Sequence, residues 1–360
     1  MKVYGASVSY YTGKLETYLR FKGLAYERAS PYPDAARIKA AVGCIQHPMV
    51  ERADGRWMSD STPILLQLEQ EHPQRSILPA DPVVRFVALL IEDYADEWLW
   101  RPAMHYRWSY EHDRELLSRI LTDELTTHLK LPRWLRRRTI RRRQLKGFVH
   151  NDGVTAANRE HVEGGYLRCL ALLQAVFAER PFLLGTRPSI ADFGLMGPML
   201  RHFGQDPTPA EIMRDRAPAV LAWVARMWNA GAMDAEGAFP EQVPADLAPL
   251  LEEVCQTHLV QLTENARAWG AQAPHFAMLV QGARYERLPV SRYRVYCLEQ
   301  LRAGYSALSE QGREAVRGLL DDPAAAALWQ GEAPAASGYD AEGRAPFNQA
   351  INVFDGGVPR

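Results

Sequence analysis

The first 78 residues switch period again and again, and that alternation constrains the fold more than any other feature of the chain. Residues 3–7 read as a short strand. Leu15, Tyr18 and Leu19 then fall at helical spacing over 13–22, and Gly23 supplies a stop. A second strand over 25–29 and a helix over 34–42, closed by Gly43, repeat the pattern. Two more strands, 47–51 and 56–58, flank Ala53-Asp54-Gly55, a hairpin signal because Asp-Gly tolerates positive φ. Ser61, followed by Thr62-Pro63, can cap a helix that carries Leu65 and Leu68 as far as His72-Pro73. The order is βαβαββα, which predicts a small α/β unit over residues 1–78.

Leu78-Pro79-Ala80-Asp81-Pro82 reads as a linker. Residues 83–235 are helical in pattern, with breaks at 147–153, Pro181 and 204–209, and predict an all-helical domain. Residues 236–360 form a third, mostly helical region, with helices over 246–270 and 292–320 joined through Tyr285-Glu286-Arg287-Leu288-Pro289. The stretch 331–346, rich in Gly, Ala and Pro, reads as loosely ordered, and the chain end as flexible. The expected fold class is therefore α/β plus all-α, with a helical extension.

A chain of 360 residues has ample material for a core. With 47% hydrophobic and 24% charged residues it is neither a disordered chain nor a coiled coil. A net charge of -1 gives no global field that would select nucleic acid or membrane. Cys44, Cys169, Cys255 and Cys297 lie far apart and form no metal or redox spacing, so reduced thiols in a cytoplasm are expected. The opening MKVYGASVSYY lacks the basic and apolar segments of a signal peptide, and the apolar run 86–91 is far too short for a membrane span.

Four short elements sharpen the picture. Ser9-Tyr10-Tyr11-Thr12-Gly13-Lys14-Leu15 resembles the S/C-P-F-x-x-R/K-V helix start of the glutathione transferase superfamily. His47-Pro48-Met49-Val50 resembles that superfamily's cis-proline element, and Asp60-Ser61-Thr62-Pro63-Ile64 its E/Q-S-x-x-I element. Ser189-Ile190-Ala191-Asp192 resembles the S/T-x-x-D capping box of its helical domain. The stretch 14–20 is also similar to the metaxin and failed-axon-connections branch. The resemblance covers residues 1–230 and implies a thioredoxin-like domain, a helical domain, glutathione as co-substrate and a homodimer. It places Ser9 at the catalytic Ser or Cys, with Tyr10, Tyr11 and Thr12 as alternative hydroxyls. Thr12 stands where a second cysteine of a CxxC would be, which argues against disulfide exchange.

It also assigns glutathione binding to His47, Pro48, Met49, Asp60 and Ser61. Physical chemistry agrees with these residue types. A hydroxyl at a helix N-terminus favours a thiolate. A residue before a cis-proline can pair with an extended peptide, and an acid beside a helix start suits an amino-acid head group. Asp60 is one methylene shorter than the usual Glu or Gln. The implied activity is attack of the thiolate on a small apolar electrophile (conjugation, isomerisation or ether cleavage); the alternative is a non-catalytic binding or scaffold protein on the same fold.

Tyr11, Trp98, Trp100, His105 and Trp108 could wall the electrophile pocket, although aromatic residues at helical spacing are more often core. Glu92, Asp93, Asp96, Glu97, His105 and His112 show no metal-ligand spacing, and no metal is expected. Residues 130–146 hold nine cations and no acid, leaving the rest of the chain strongly acidic. Such a run can be paired surface or an anion site, and nucleic acid is the less favoured partner.

Overall fold

The computed structural model describes residues 1–330 and 335–351. β1 (Lys2–Tyr4) leads into α1 (Tyr10–Lys22), β2 (Glu27–Ala29), α2 (Ala35–Val42), β3 (Met49–Glu51), β4 (Trp57–Ser59) and α3 (Ser61–Glu71), the expected βαβαββα order. The sheet order is β2-β1-β3-β4, with β1 parallel to β2 and antiparallel to β3, and β3 antiparallel to β4. Side chains alternate across each strand, so Val3, Val50 and Met58 enter the main core. Tyr4 and Met49 point to the opposite face and pack with Ile38 and Val42 of α2. Gly23, at φ 70°, closes α1 as expected. Gly5 brings the β1–α1 turn against α1: a Cβ there would stand 2.3 Å from Thr12 Oγ1.

The helical part comprises α4 (Pro82–Glu97), α5 (Trp100–Ser109), α6 (Glu111–Leu125), α7 (Arg133–Gln144), α8 (Arg159–Glu179), α9 (Ile190–Pro198), α10 (Pro207–Arg216) and α11 (Pro218–Asn229). Asp81 caps α4 by accepting from the N–H groups of Val83 and Val84. The capping box forms between Ser189 and Asp192, and Asp192 also accepts from Leu183 N and Trp223 Nε1. It thereby seats α9, which packs against both α1 and α4.

Beyond residue 236 lie α12 (Ala248–Val254), α13 (Val260–Gly270), β5 (His275–Val280), β6 (Ala283–Pro289), α14 (Arg292–Ser306) and α15 (Glu310–Leu319). The β5–β6 hairpin corrects the expectation of helices with a simple joint. Exposure alternates strictly along β5, and the turn holds Gln281 and Gly282 at φ 48° and 83°. α14 and α15 pack on α4, with Phe86 against Tyr305. One cluster of buried side chains runs from Val3 through Tyr166 to Leu328 and unites all three regions.

Residues 335–351 correct a second expectation, since they are docked rather than loose. Ser59 N donates to Pro346 O at 3.0 Å and Ala350 N to Val42 O at 2.8 Å. Gln349 Nε2 donates to Ala41 O at 3.0 Å, and Arg292 donates to the carbonyls of Ser337 and Gly338. The tail thus lies across the N-terminal unit. The expectation of a flexible chain end falls beyond residue 351, outside the described residues, as do residues 331–334 of the Gly/Ala/Pro stretch.

Candidate active site

A cavity of about 310 Å³ opens where the N-terminal unit, α5, the α7 region and the extension meet. Ser9, His47, Asp60 and Ser61 line it from three separate loops. Ser9 is the N-cap of α1, and its Oγ accepts from Thr12 N at a long 3.4 Å, leaving the hydroxyl proton uncommitted. The loop that carries it is pinned from the helical side. Arg107, itself gripped by both oxygens of buried Asp206, donates to Val8 O at 2.7 Å, and Glu124 accepts from the N and Oγ of Ser7.

The alternative hydroxyls are engaged elsewhere or shut off from the cavity. Tyr10 OH donates to Ala95 O and Tyr11 OH to Asp96 O at 2.9 Å, both carbonyls of α4, and burial pushes both phenols far up. Thr12 is fully buried against Gly5 and does not reach the cavity. Ser9 is therefore the hydroxyl at this end of the site that remains free to donate.

The His47–Pro48 peptide is cis, and His47 sits just ahead of the ladder register that begins at Met49. Burial, with Arg143 nearby, drives the His47 imidazole down to about 4, so it is neutral at pH 7. Pro48 is buried beside it without lining the cavity. Met49 is a correction: its side chain packs under α2 on the far face of the sheet and touches no ligand space.

Asp60, not Ser61, is the N-cap of α3, and it makes no side-chain cap bond. Its φ of 75° is a conformation that costs a non-glycine residue on the order of 1–3 kcal/mol. Its carboxylate instead accepts from two phenols of the extension, Tyr293 OH at 3.0 Å on Oδ1 and Tyr339 OH at 3.2 Å on Oδ2. Burial raises Asp60 to about 7, with the two phenols and Lys14 pulling the other way. Tyr293, Tyr339 and Tyr296 pack edge-on or tilted against one another and hold that lid in place. Nothing local in the sequence marks Tyr293 and Tyr339 as site residues; the packing of α14 brings the first there and the docking of the tail the second.

The apolar wall is built by α5 at four-residue spacing: Trp100, Met104 and Trp108 face the cavity, with Tyr11 stacked on Trp100 at 5.6 Å. Trp98 and His105 do not line it. Trp98 packs on Tyr285 of the hairpin and under Arg101. His105 bonds Glu163 at 2.8 Å and Ser109 at 2.9 Å, and burial lowers its pKa. His202, buried and neutral between Tyr10 and Trp100, lines the same wall. Among the described residues no group of three or more His, Cys, Asp or Glu is placed to hold a metal.

A mixed four-stranded sheet joined to a helical domain, with a cis-proline, a strained acid and a helix-capping serine around one junctional cavity, defines a thioredoxin-like domain set against a helical partner. Residues 3–76 match the family model for the glutathione S-transferase N-terminal domain, and residues 156–226 that for the C-terminal domain. The N-terminal unit and the later part of the helical region are thus similar to the two domains of glutathione S-transferases. Among solved structures it is similar to a beta-etherase from Sphingobium sp. strain SYK-6, with 20% identity, a TM-score of 0.43 and coverage of 63% of this chain and 93% of that one. It is similar to a maleylpyruvate isomerase from Pseudomonas aeruginosa PAO1 at 17% identity and TM-score 0.36, covering 66% and 94%. A glutathione S-transferase from Methylobacterium radiotolerans, in complex with glutathione sulfonate, is 18% identical with TM-score 0.38, covering 68% and 97%. No curated protein sequence matches the chain. The metaxin-like features of residues 14–20 find no counterpart in these matches.

Proposed function

We propose that the chain is a cytoplasmic, homodimeric glutathione transferase whose thiolate attacks a small apolar electrophile. The observation that carries the proposal is the convergence of Ser9, His47 and the Asp60–Ser61 helix start on one cavity with an aromatic wall. Glutathione would lie extended, its cysteinyl backbone against His47 and its α-carboxylate at the N-terminus of α3 by Ser61. The α-ammonium would meet Asp60. The sulfur would then sit at the N-terminus of α1, where the Ser9 hydroxyl donates to the thiolate as the thiol proton leaves to solvent. The sulfur lone pair forms the new bond to an electrophilic carbon held by Tyr11, Trp100, Met104 and Trp108, and the carbon's bond to its leaving group breaks, the group departing to solvent with the bonding electron pair. Dimerisation is tested by light scattering, and conjugation by following glutathione consumption with uncharged aromatic electrophiles.

This reading gives a pH signature. An ammonium needs the ionised form of Asp60, whose pKa in the folded protein is about 7. Affinity for S-methylglutathione, whose sulfur does not titrate, is therefore expected to rise about tenfold between pH 6 and pH 8. The two phenols favour the carboxylate, so Tyr293→Phe combined with Tyr339→Phe moves the midpoint of that profile upward. Calorimetry across the pH range checks both. A flat profile in the parent protein removes Asp60 from the site. The raised pKa also means that the Asp60 contribution to stability is full below about pH 4 and is lost as pH rises through 7.

A second reading has its own support. Both oxygens of Asp60 are already engaged by the extension, as fits a binding or scaffold protein whose site has closed on its own tail. The two readings part on whether glutathione binds at all.

A further inference from the structure

The basic segment 130–146 splits into two faces. Arg133, Arg137 and Arg141, four residues apart on α7, pair with Asp123, Glu115 and Glu111 of α6. Arg136 donates to the carbonyls of Thr126 and Leu131. These four cations fasten α7 to the protein. The side chains of Lys130, Arg138, Arg142, Arg143 and Lys146 are exposed and make no hydrogen bond or ion pair among the described residues.

The same end of the molecule exposes its apolar side chains. Leu129 is 41%, Leu131 48% and Trp134 66% exposed, three of the five large hydrophobic residues so exposed among the described residues. A tryptophan and two leucines exposed in the same segment as unpaired cations such as Lys130, Arg138 and Arg142 have the chemistry of a surface that enters the headgroup region of an anionic bilayer, the indole at the interface and the cations on the phosphates. A nucleic-acid site would use the cations and would have no need of leucines in water.

We infer that residues 129–146 form a docking surface for an anionic lipid bilayer. The four positions that carry the test, Leu131, Trp134, Arg138 and Arg142, lie outside the cavity and so are separable from the glutathione reading, whereas Arg143 and Gln144 of the same segment line it. α7 continues into a π-helical turn, Leu145–His150, whose Phe148 lines the cavity, so a docked molecule holds that wall of the site beside the membrane.

Co-sedimentation with phosphatidylcholine vesicles, with and without phosphatidylglycerol, tests the assignment on the full chain. Binding is expected with phosphatidylglycerol, absent without it, and weakened by added salt. Arg138→Gln with Arg142→Gln is expected to lower the partition coefficient roughly 30-fold. Leu131→Ser with Trp134→Ser is expected to lower it at least about tenfold. All four positions are exposed or half-exposed, so circular dichroism should be unchanged. Three results would overturn the inference: no binding to anionic vesicles, binding that the leucine–tryptophan pair does not affect, or single-stranded RNA bound more tightly than vesicles in anisotropy measurements.

Discussion

Replacing Ser9 by alanine is expected to slow turnover with glutathione near neutral pH by about 10- to 1000-fold, the range for removing one donor from a developing anion. The size of the effect follows from the geometry around it. Tyr10 and Tyr11 spend their hydroxyl protons on carbonyls of α4, and Thr12 is shut in against Gly5, so no neighbouring hydroxyl can take over. The thiol pKa of bound glutathione should rise, seen as lost thiolate absorbance in the ultraviolet, while affinity changes little. The cap bond to Thr12 N is long, so the accompanying loss of stability should stay at or below about 1 kcal/mol. Ser9→Cys should trap glutathione as a mixed disulfide under oxidising conditions, because a thiol at a helix N-terminus ionises readily. If Ser9→Ala keeps full activity and Tyr11→Phe abolishes it, the thiolate donor is the phenol and the α1 register argument is wrong.

The second large effect concerns stability. Lys14 is fully buried, and its ammonium donates to Glu92, to Asp96 Oδ2 at 2.6 Å and to Thr62 Oγ1 at 2.8 Å. These contacts tie α1 to α3 and α4. Two carboxylates around one ammonium keep Lys14 charged despite its burial, while burial pushes Asp96 well up. Lys14→Met removes the one cation of the group and strands two acids, at a cost of about 3–5 kcal/mol. Urea unfolding should show it as a lower midpoint. Adding Glu92→Gln and Asp96→Asn to Lys14→Met should return much of the loss, since the uncompensated charges are then gone. A loss under about 1 kcal/mol for Lys14→Met would mean that water reaches the cluster.

What the sequence revealed of this fold was local. Ser9, Gly23, Asp54-Gly55 and the Ser189–Asp192 box act through neighbours a few residues away, and each marked an element that the structure contains. The α5 assignments show the limit of such reasoning. Helical spacing groups Trp100, Met104 and Trp108 on one face and sets Trp98 and His105 elsewhere, but it does not say which face meets a cavity. Met49 was misplaced for the same reason in a strand, where adjacent side chains point to opposite faces. The β5–β6 hairpin has local signs in the sequence, the alternation of residues 275–280 and the Gln281-Gly282 turn, but they are short and lie between two longer helical patterns. The lid on Asp60 had no local sign at all, because Tyr293 and Tyr339 are 233 and 279 residues away along the chain.

If this cavity binds glutathione through Asp60 and the α3 start, titration calorimetry of glutathione into the full chain at pH 8 should show it. Binding tighter than about 1 mM is expected, equivalent to more than about 4 kcal/mol. Asp60→Ala is further expected to weaken that binding by about 10- to 100-fold with the fold intact, through loss of a charge-assisted hydrogen bond of roughly 1.5–3 kcal/mol. No measurable heat up to about 10 mM glutathione, or an Asp60→Ala protein that binds as tightly as the parent, would contradict glutathione binding through Asp60.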